Sequence, residues 1–226
     1  MSGERRLIAI AIDGPAGAGK STVARRVAGR LGFTYIDTGA MYRAVALWAR
    51  RQNVEPDDMH RMEQLALAAS IEIEPGSARV LLNGEDVSEA IRTAEIGEAA
   101  SAAAAIPGVR RALVDKQRAI GAGASIVMEG RDIGSVVFPD AQVKIFLDAT
   151  PEERVRRRIE ESGGDLEAVA GHLRQRDERD RGRAESPLVQ APDAIYIDST
   201  GLAPGEVEEA ILKVVRAKLS NGKGFQ

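Results

Sequence analysis

The residues Gly14-Pro15-Ala16-Gly17-Ala18-Gly19-Lys20-Ser21 follow the spacing G-x-x-x-x-G-K-S/T, a pattern that holds phosphate. Glycine lets the main chain curl until its amides point inward. Those amides, with the N-terminus of a following helix, take up phosphate oxygens. Lys20 supplies a point charge at the outer phosphates. The Ser21 hydroxyl, with Thr22 behind it, sits where the Mg²⁺ of a bound nucleotide is ligated. A glycine-rich turn that binds nothing is the competing reading. The flanks argue against it: the apolar run Leu7-Ile8-Ala9-Ile10-Ala11-Ile12 precedes the loop and the helix-like run Thr22-Val23-Ala24-Arg25-Arg26-Val27-Ala28 follows it. Strand, loop, helix is the setting the motif needs.

A phosphate loop specifies a nucleotide, not a reaction. A guanine-reading switch needs an Asn-Lys-x-Asp run after a strand, and Asp198-Ser199-Thr200, the nearest slot, lacks the lysine. A small-molecule kinase instead needs cations, because charge spreads over the phosphoryl group in flight. Arg43 comes six residues after Asp37, in the first turns of a predicted helix, and Arg131 follows Gly130 at the end of a predicted strand. Ligands of doubly wound sheets bind beyond such strand ends, so both guanidiniums are candidates to fork onto an acceptor phosphate. The alternative for each is a surface ion pair.

In the run Arg174-Gln175-Arg176-Asp177-Glu178-Arg179-Asp180-Arg181-Gly182-Arg183, helical spacing puts Arg176, Asp180 and Arg183 on one face, and Arg179 one turn before Arg183. Stacked like charges call for an anion between them, which a triphosphate supplies. A solvated, salt-bridged helix accounts for the same composition. Nine arginines against seven acids over residues 154–183 leave little local net charge, so this is not a nucleic-acid patch.

These groups need a scaffold. Residues 7–12 read as a strand buried on both faces. Residues 20–31 read as a helix stopped at Gly32, 33–37 as a second strand, and Thr38 as the N-cap of a helix running toward Arg51. From about Pro56 to Gly123 the texture changes. Ile71-Glu72-Ile73-Glu74 alternates, Pro75-Gly76-Ser77 turns, and Arg79-Val80-Leu81-Leu82 leads into the hairpin turn Asn83-Gly84. Helices over 96–105 and 109–120, broken at Pro107-Gly108, complete an inserted lobe. Strands resume at 125–129, 143–148 and 194–198. Pro151 opens one helix, and 204–219 forms the last. Core strands alternating with helices predict an α/β fold with a parallel sheet wound on both faces.

The 226 residues suit one such domain with an insertion. Hydrophobic residues make up 44% and charged residues 29%, as in ordinary soluble domains. Aromatic residues at 4% argue against a base-stacking platform. A net charge of −3 gives no pull toward nucleic acid or anionic membrane. Without cysteine there is no disulfide framework and no thiolate metal site. The opening Met1-Ser2-Gly3-Glu4-Arg5-Arg6 has the charge of a signal peptide, but the apolar run behind it stops at Asp13 and no stretch is membrane-length. The expectation is a cytoplasmic protein with no nucleic-acid or membrane partner.

Four further blocks join the phosphate loop: Asp37-Thr38-Gly39-Ala40-Met41-Tyr42-Arg43, Gly130-Arg131-Asp132-Ile133-Gly134, Phe138-Pro139-Asp140-Ala141 and the arginine run 176–183. In order, and over essentially the whole chain, the set resembles the bacterial cytidylate kinases of the nucleoside monophosphate kinase family. The resemblance implies a P-loop NTPase fold in three parts. These are a CORE (1–37, 124–157 and 185–226), a monophosphate-binding lobe enlarged by a small α+β insert (38–123), and a helical LID (158–184). It implies ATP on residues 14–22 with Mg²⁺ at Ser21, Arg157 or Arg158 against the adenine, and Arg179 and Arg181 at the donor phosphates. For CMP it implies Thr38 and Asp132 at the base with Ser101 and Arg110, Arg43, Arg131 and Arg183 at the phosphate, and Arg176 and Asp180 at the ribose. Lys20, Arg131, Arg179, Arg181 and Arg183 then neutralise charge during transfer. The implied reaction is ATP-dependent phosphorylation of CMP and dCMP by a monomer with no tightly bound organic cofactor.

Overall fold

The computed structural model describes residues 7–74 and 79–220. Met1–Arg6 and the turn expected at Pro75-Gly76-Ser77 lie outside the described residues. The chain begins with β1 (Ala9–Asp13), α1 (Lys20–Leu31), β2 (Thr34–Asp37), α2 (Thr38–Arg51) and α3 (Met59–Ala68). The inserted segment adds β3 (Ile71–Ile73), β4 (Val80–Leu82), β5 (Glu85–Asp86), α4 (Ala94–Ala103) and α5 (Pro107–Gly121). Then come β6 (Ile126–Gly130), β7 (Val143–Asp148), α6 (Pro151–Ser162), α7 (Leu166–Arg181), β8 (Ile195–Asp198) and α8 (Pro204–Ser220).

Five strands form one parallel sheet in the order β2-β6-β1-β7-β8. The central strand buries Ile10, Ala11 and Ile12 almost completely, because helices cover both faces. On one face Val23 and Val27 of α1 and Ile211 and Val215 of α8 pack with Ile10, Ile12 and Ile145. On the other, Val114 of α5 joins Ile133 and Val137 over Ala11, Ile36 and Met128. The insert shares a second core with α2 and α3, in which Met41 and Val45 of α2, Met62 of α3 and Leu113 of α5 meet Val80 and Leu82 of the antiparallel β3-β4-β5 meander. Asn83 (φ 51°) and Gly84 (φ 82°) make the tight β4–β5 turn, both in the left-handed region that such a hairpin demands.

The register brings the ends of three strands level. Asp13 lies beside Gly130, and Asp37 beside Glu129. From β1 the chain crosses to one side of the sheet and from β6 to the other, so a crevice opens beyond their carboxyl ends.

Two local expectations are corrected. Asp37, not Thr38, caps α2: its Oδ1 accepts from the Ala40 amide at 3.1 Å. Asp37 has the extended backbone a cap requires, whereas Thr38 is already helical and donates its Oγ1 to the Glu129 carbonyl at 2.7 Å. Arg183 does not continue the helical face of Arg176 and Asp180, nor stack on Arg179, because α7 ends at Arg181 with Gly182 as its cap. The Arg183 guanidinium nevertheless turns back onto Asp180.

The first glycine of the phosphate loop is required by its neighbour in the sheet. Gly14 has φ 150°, and a Cβ there would lie 1.9 Å from the Leu147 carbonyl oxygen of β7. Gly14→Ala is expected to lower stability by about 2 kcal/mol or more, read by urea denaturation. A variant within about 0.5 kcal/mol of the parent would contradict this packing.

Candidate active site

The phosphate loop leads from β1 into α1 through Gly17 (φ 78°) and Gly19 (φ 88°). Gly19 caps α1 without a side chain, so the first helical amides are left for an anion. Lys20 is buried and donates its Nζ to the Pro15 carbonyl at 2.7 Å. Burial and the charge of Arg131 push Lys20 down to about 7, against the pull of Glu129. A phosphate beside it favours the charged form. Glu129, a buried acid near the end of β6, accepts from the Tyr35 hydroxyl at 2.6 Å, and the Ser21 hydroxyl lies close enough to pull its carboxyl down. Burial, then Asp37, raises Glu129 above the usual carboxylate range. A hydroxyl and a carboxylate side by side are oxygen donors of the kind Mg²⁺ takes, so the residues fit a Mg²⁺ carried in with a nucleotide. Thr22 is exposed on the outer side of α1. Of the two arginines considered for the adenine, Arg157 lies against the loop. It donates to Ala18 O at 3.2 Å and to Ser199 Oγ at 2.9 Å. Arg158 pairs with Glu161 at 2.9 Å on the exposed side of α6.

Beside the loop lies a narrow cleft lined by Thr38, Arg43, Ser101, Arg110, Arg131, Asp132, Arg176, Asp180 and Arg183. These are all nine residues the resemblance assigned to CMP. They come from α2, α4, α5, the turn after β6, and the region of α7 and its end. Five arginines face two aspartates among the lining residues. Asp180, 1% exposed, takes Arg131 Nε at 2.8 Å and Arg183 on its other oxygen. Burial pushes Asp180 up, but Arg131, Arg183 and Arg176 outweigh it and hold its carboxyl below the usual range. Burial, then Arg131, lowers Arg176 to about 10. Asp132 pairs with Arg110, both buried, and Arg43 pairs with Asp37 at 2.7 Å. Arg43, Arg110, Arg176 and Arg183 each still have a buried Nε without a protein acceptor. Buried donors call for acceptors, so the cleft is built for an anion.

The family model described as cytidylate kinase matches residues 10–217. The chain belongs to the cytidylate kinase family. It is 61% identical to the cytidylate kinase of Solibacter usitatus, covering 98% of each chain. It is 49% identical to that of Pelotomaculum thermopropionicum, covering 95% of this chain and 96% of the other. A solved structure of a gluconokinase from Sinorhizobium meliloti superposes with a TM-score of 0.51 over 96% of this chain and 97% of that one, at 13% identity. That likeness is one of fold.

Two other assigned residues of this kinase, Arg179 and Arg181, are not among those lining the cleft. Arg179 donates to Ser101 Oγ at 2.8 Å, toward the insert rather than the phosphate loop, and Arg181 is exposed at the end of α7. Two buried acids at the ends of core strands were not anticipated. One is Glu129. The other is Asp13, whose oxygens accept from the Ile133 and Gly134 amides at 2.8 and 2.7 Å. Asp13 thereby fixes the π-helical turn over residues 133–137 that follows Arg131 and Asp132. Burial pushes Asp13 up to about 6 against those two amides. The signal for it was there: a carboxylate ending an apolar run that is buried on both faces.

Lys20→Ala is expected to lower phosphoryl transfer by about a hundredfold or more. Its melting temperature should stay within about 4 °C of the parent, the shift that about 1 kcal/mol gives at this size. ADP release beside a thermal melt reads both. Near-full turnover in the folded variant would remove Lys20 from the reaction.

Proposed function

We propose that this kinase transfers the γ-phosphoryl group of Mg·ATP to the phosphate of CMP, and to that of dCMP. ATP lies on residues 14–22 with Mg²⁺ at Ser21 and Arg157 bordering the adenine. CMP lies in the adjoining cleft. The observation that carries the reading is the set of cleft arginines with buried, unsatisfied donors next to a phosphate loop. The relatives named cytidylate kinase support the choice of acceptor.

In this reading Arg43, Arg131 and Arg183 fork onto the acceptor phosphate, and Arg176 and Asp180 meet the ribose. Thr38, Ser101, Arg110 and Asp132 surround the base. The transferring group is metaphosphate-like, so the chemistry needs positioning and charge neutralisation more than a base. Lys20, Arg131, Arg179, Arg181 and Arg183 supply the charge. The cleft has only about 60 Å³ of free space, less than the few hundred that enclose a small molecule, because Asp180 draws Arg131 and Arg183 across it. Residues 158–184 therefore act as a lid that parts from the monophosphate lobe (38–123) and the core to admit CMP, then closes to exclude water. Arg179 leaves Ser101 for the donor phosphates in that cycle. The kinase is taken to act as a cytoplasmic monomer without nucleic-acid partners. Among the described residues no helix is long and apolar enough to cross a membrane.

Cytosine carries an amino donor where uracil carries a carbonyl acceptor, and a carboxylate accepts from the first and repels the second. CMP is expected to exceed UMP by at least about tenfold in kcat/KM, about 1.4 kcal/mol. Asp132→Asn should narrow that ratio, mostly by harming CMP, since an amide also donates to the uracil carbonyl. Steady-state kinetics with both acceptors decide. An unchanged ratio would leave Asp132 as the partner that orients Arg110 and no more.

A further inference from the structure

Arg154 does not line the cleft, and it lies directly under the phosphate loop. It sits in the first turns of α6 and is 5% exposed. Its Nε donates to the Ala149 carbonyl at 3.2 Å and its Nη1 to the Ala16 carbonyl at 3.2 Å. Nη1 also meets Asp177 Oδ2 at 2.7 Å. A Cβ on Gly17 would lie 3.1 Å from Arg154 Cβ, so the loop main chain rests on this side chain. Asp177 belongs to α7, in the turn that carries Arg176, Arg179 and Asp180, and its other oxygen is buried without a donor. One planar guanidinium thus joins the phosphate loop, the β7–α6 turn and α7.

Stability does not explain the pair. Buried ion pairs often stabilise no more than apolar side chains of the same volume, whereas removing one partner strands a charge. A rigid fork with several donors does give fixed geometry between elements. We propose that Arg154 and Asp177 are positioning residues that couple the lid to the donor site: they set α7 and its arginines against the main chain that holds the donor phosphates. The inference rests on the phosphotransferase reading. Neither side chain need touch a substrate. Their effect is to bring Arg176, Arg179 and Asp180 into register with Ala16 and Gly17 when the lid closes.

The test is a double variant, Arg154→Met with Asp177→Leu, compared with Asp177→Asn and the parent by thermal melting and steady-state kinetics with ATP and CMP varied. The apolar pair restores packing without the fork. It should melt within about 4 °C of the parent. Its kcat should nevertheless fall at least about tenfold, with both KM values within about threefold, as for an interaction made only in the transition state. A double variant with parental melting and kcat within about twofold overturns the proposal and makes the pair a packing element. If the double variant melts early, Asp177→Asn decides, assayed well below its own melt. A loss of kcat of about threefold or more supports the proposal, and a change under about twofold overturns it. CMP-dependent turnover by the parent tests the phosphotransferase reading separately. The ratio of variant to parent tests the strut with whatever acceptor the parent turns over, water included.

Discussion

The arrangement depends on how buried guanidinium groups are balanced. Arg131 and Arg183 both bind Asp180, which is almost fully enclosed. Arg110 binds the equally buried Asp132. Cations taken out of water must be paired and hydrogen-bonded to be tolerated. Here two aspartates line a cleft with five arginines, and Asp37 answers for Arg43 from just outside it. Positive charge and unfilled donors remain, and their natural complement is a phosphate. Much of the fold serves that imbalance: α7 brings Asp180 and Arg176, the turn after β6 brings Arg131 and Asp132, and α5 brings Arg110.

The sheet makes the imbalance rigid. Strands ending level at Asp13, Asp37 and Gly130 let short polar contacts lock the loops above them. Asp13 holds the turn behind Asp132, and Thr38 ties α2 to the end of β6. Glu129 ties Tyr35 of β2 to the end of β6 below the phosphate loop. Donors fixed before the substrate arrives need no reorganisation during transfer, which is where such sites gain their rate.

Much of this was legible in the residues. The phosphate loop with its flanking strand and helix, the Asn83-Gly84 hairpin and Pro151 at a helix start each rest on local backbone chemistry, and the structure shows each one, whereas Pro107-Gly108, read as a break between helices, opens α5. What escaped was decided across the fold. Asp37 and Thr38 are both good caps, and the Glu129 carbonyl settled which one served. Arg157 and Arg158 are neighbours on one helix, so only one can face the loop. Within residues 154–183 composition does not tell which arginines are buried. Arg154 is among them only because Ala16 and Asp177 close over it. Ser101 in an alanine-rich helix carries no chemical signal of its own. Resemblance pointed to it, and the structure puts it on the cleft wall beside Arg179.

The cleft is held ready for a phosphate by cations its own carboxylates do not satisfy. Calorimetric titration with CMP and with cytidine in parallel measures this directly, since the two ligands differ only in that group. CMP is expected to bind at least about a hundredfold more tightly, about 2.7 kcal/mol. Affinities within about threefold of each other would contradict it, because the arginine cluster would then contribute almost nothing to binding the acceptor.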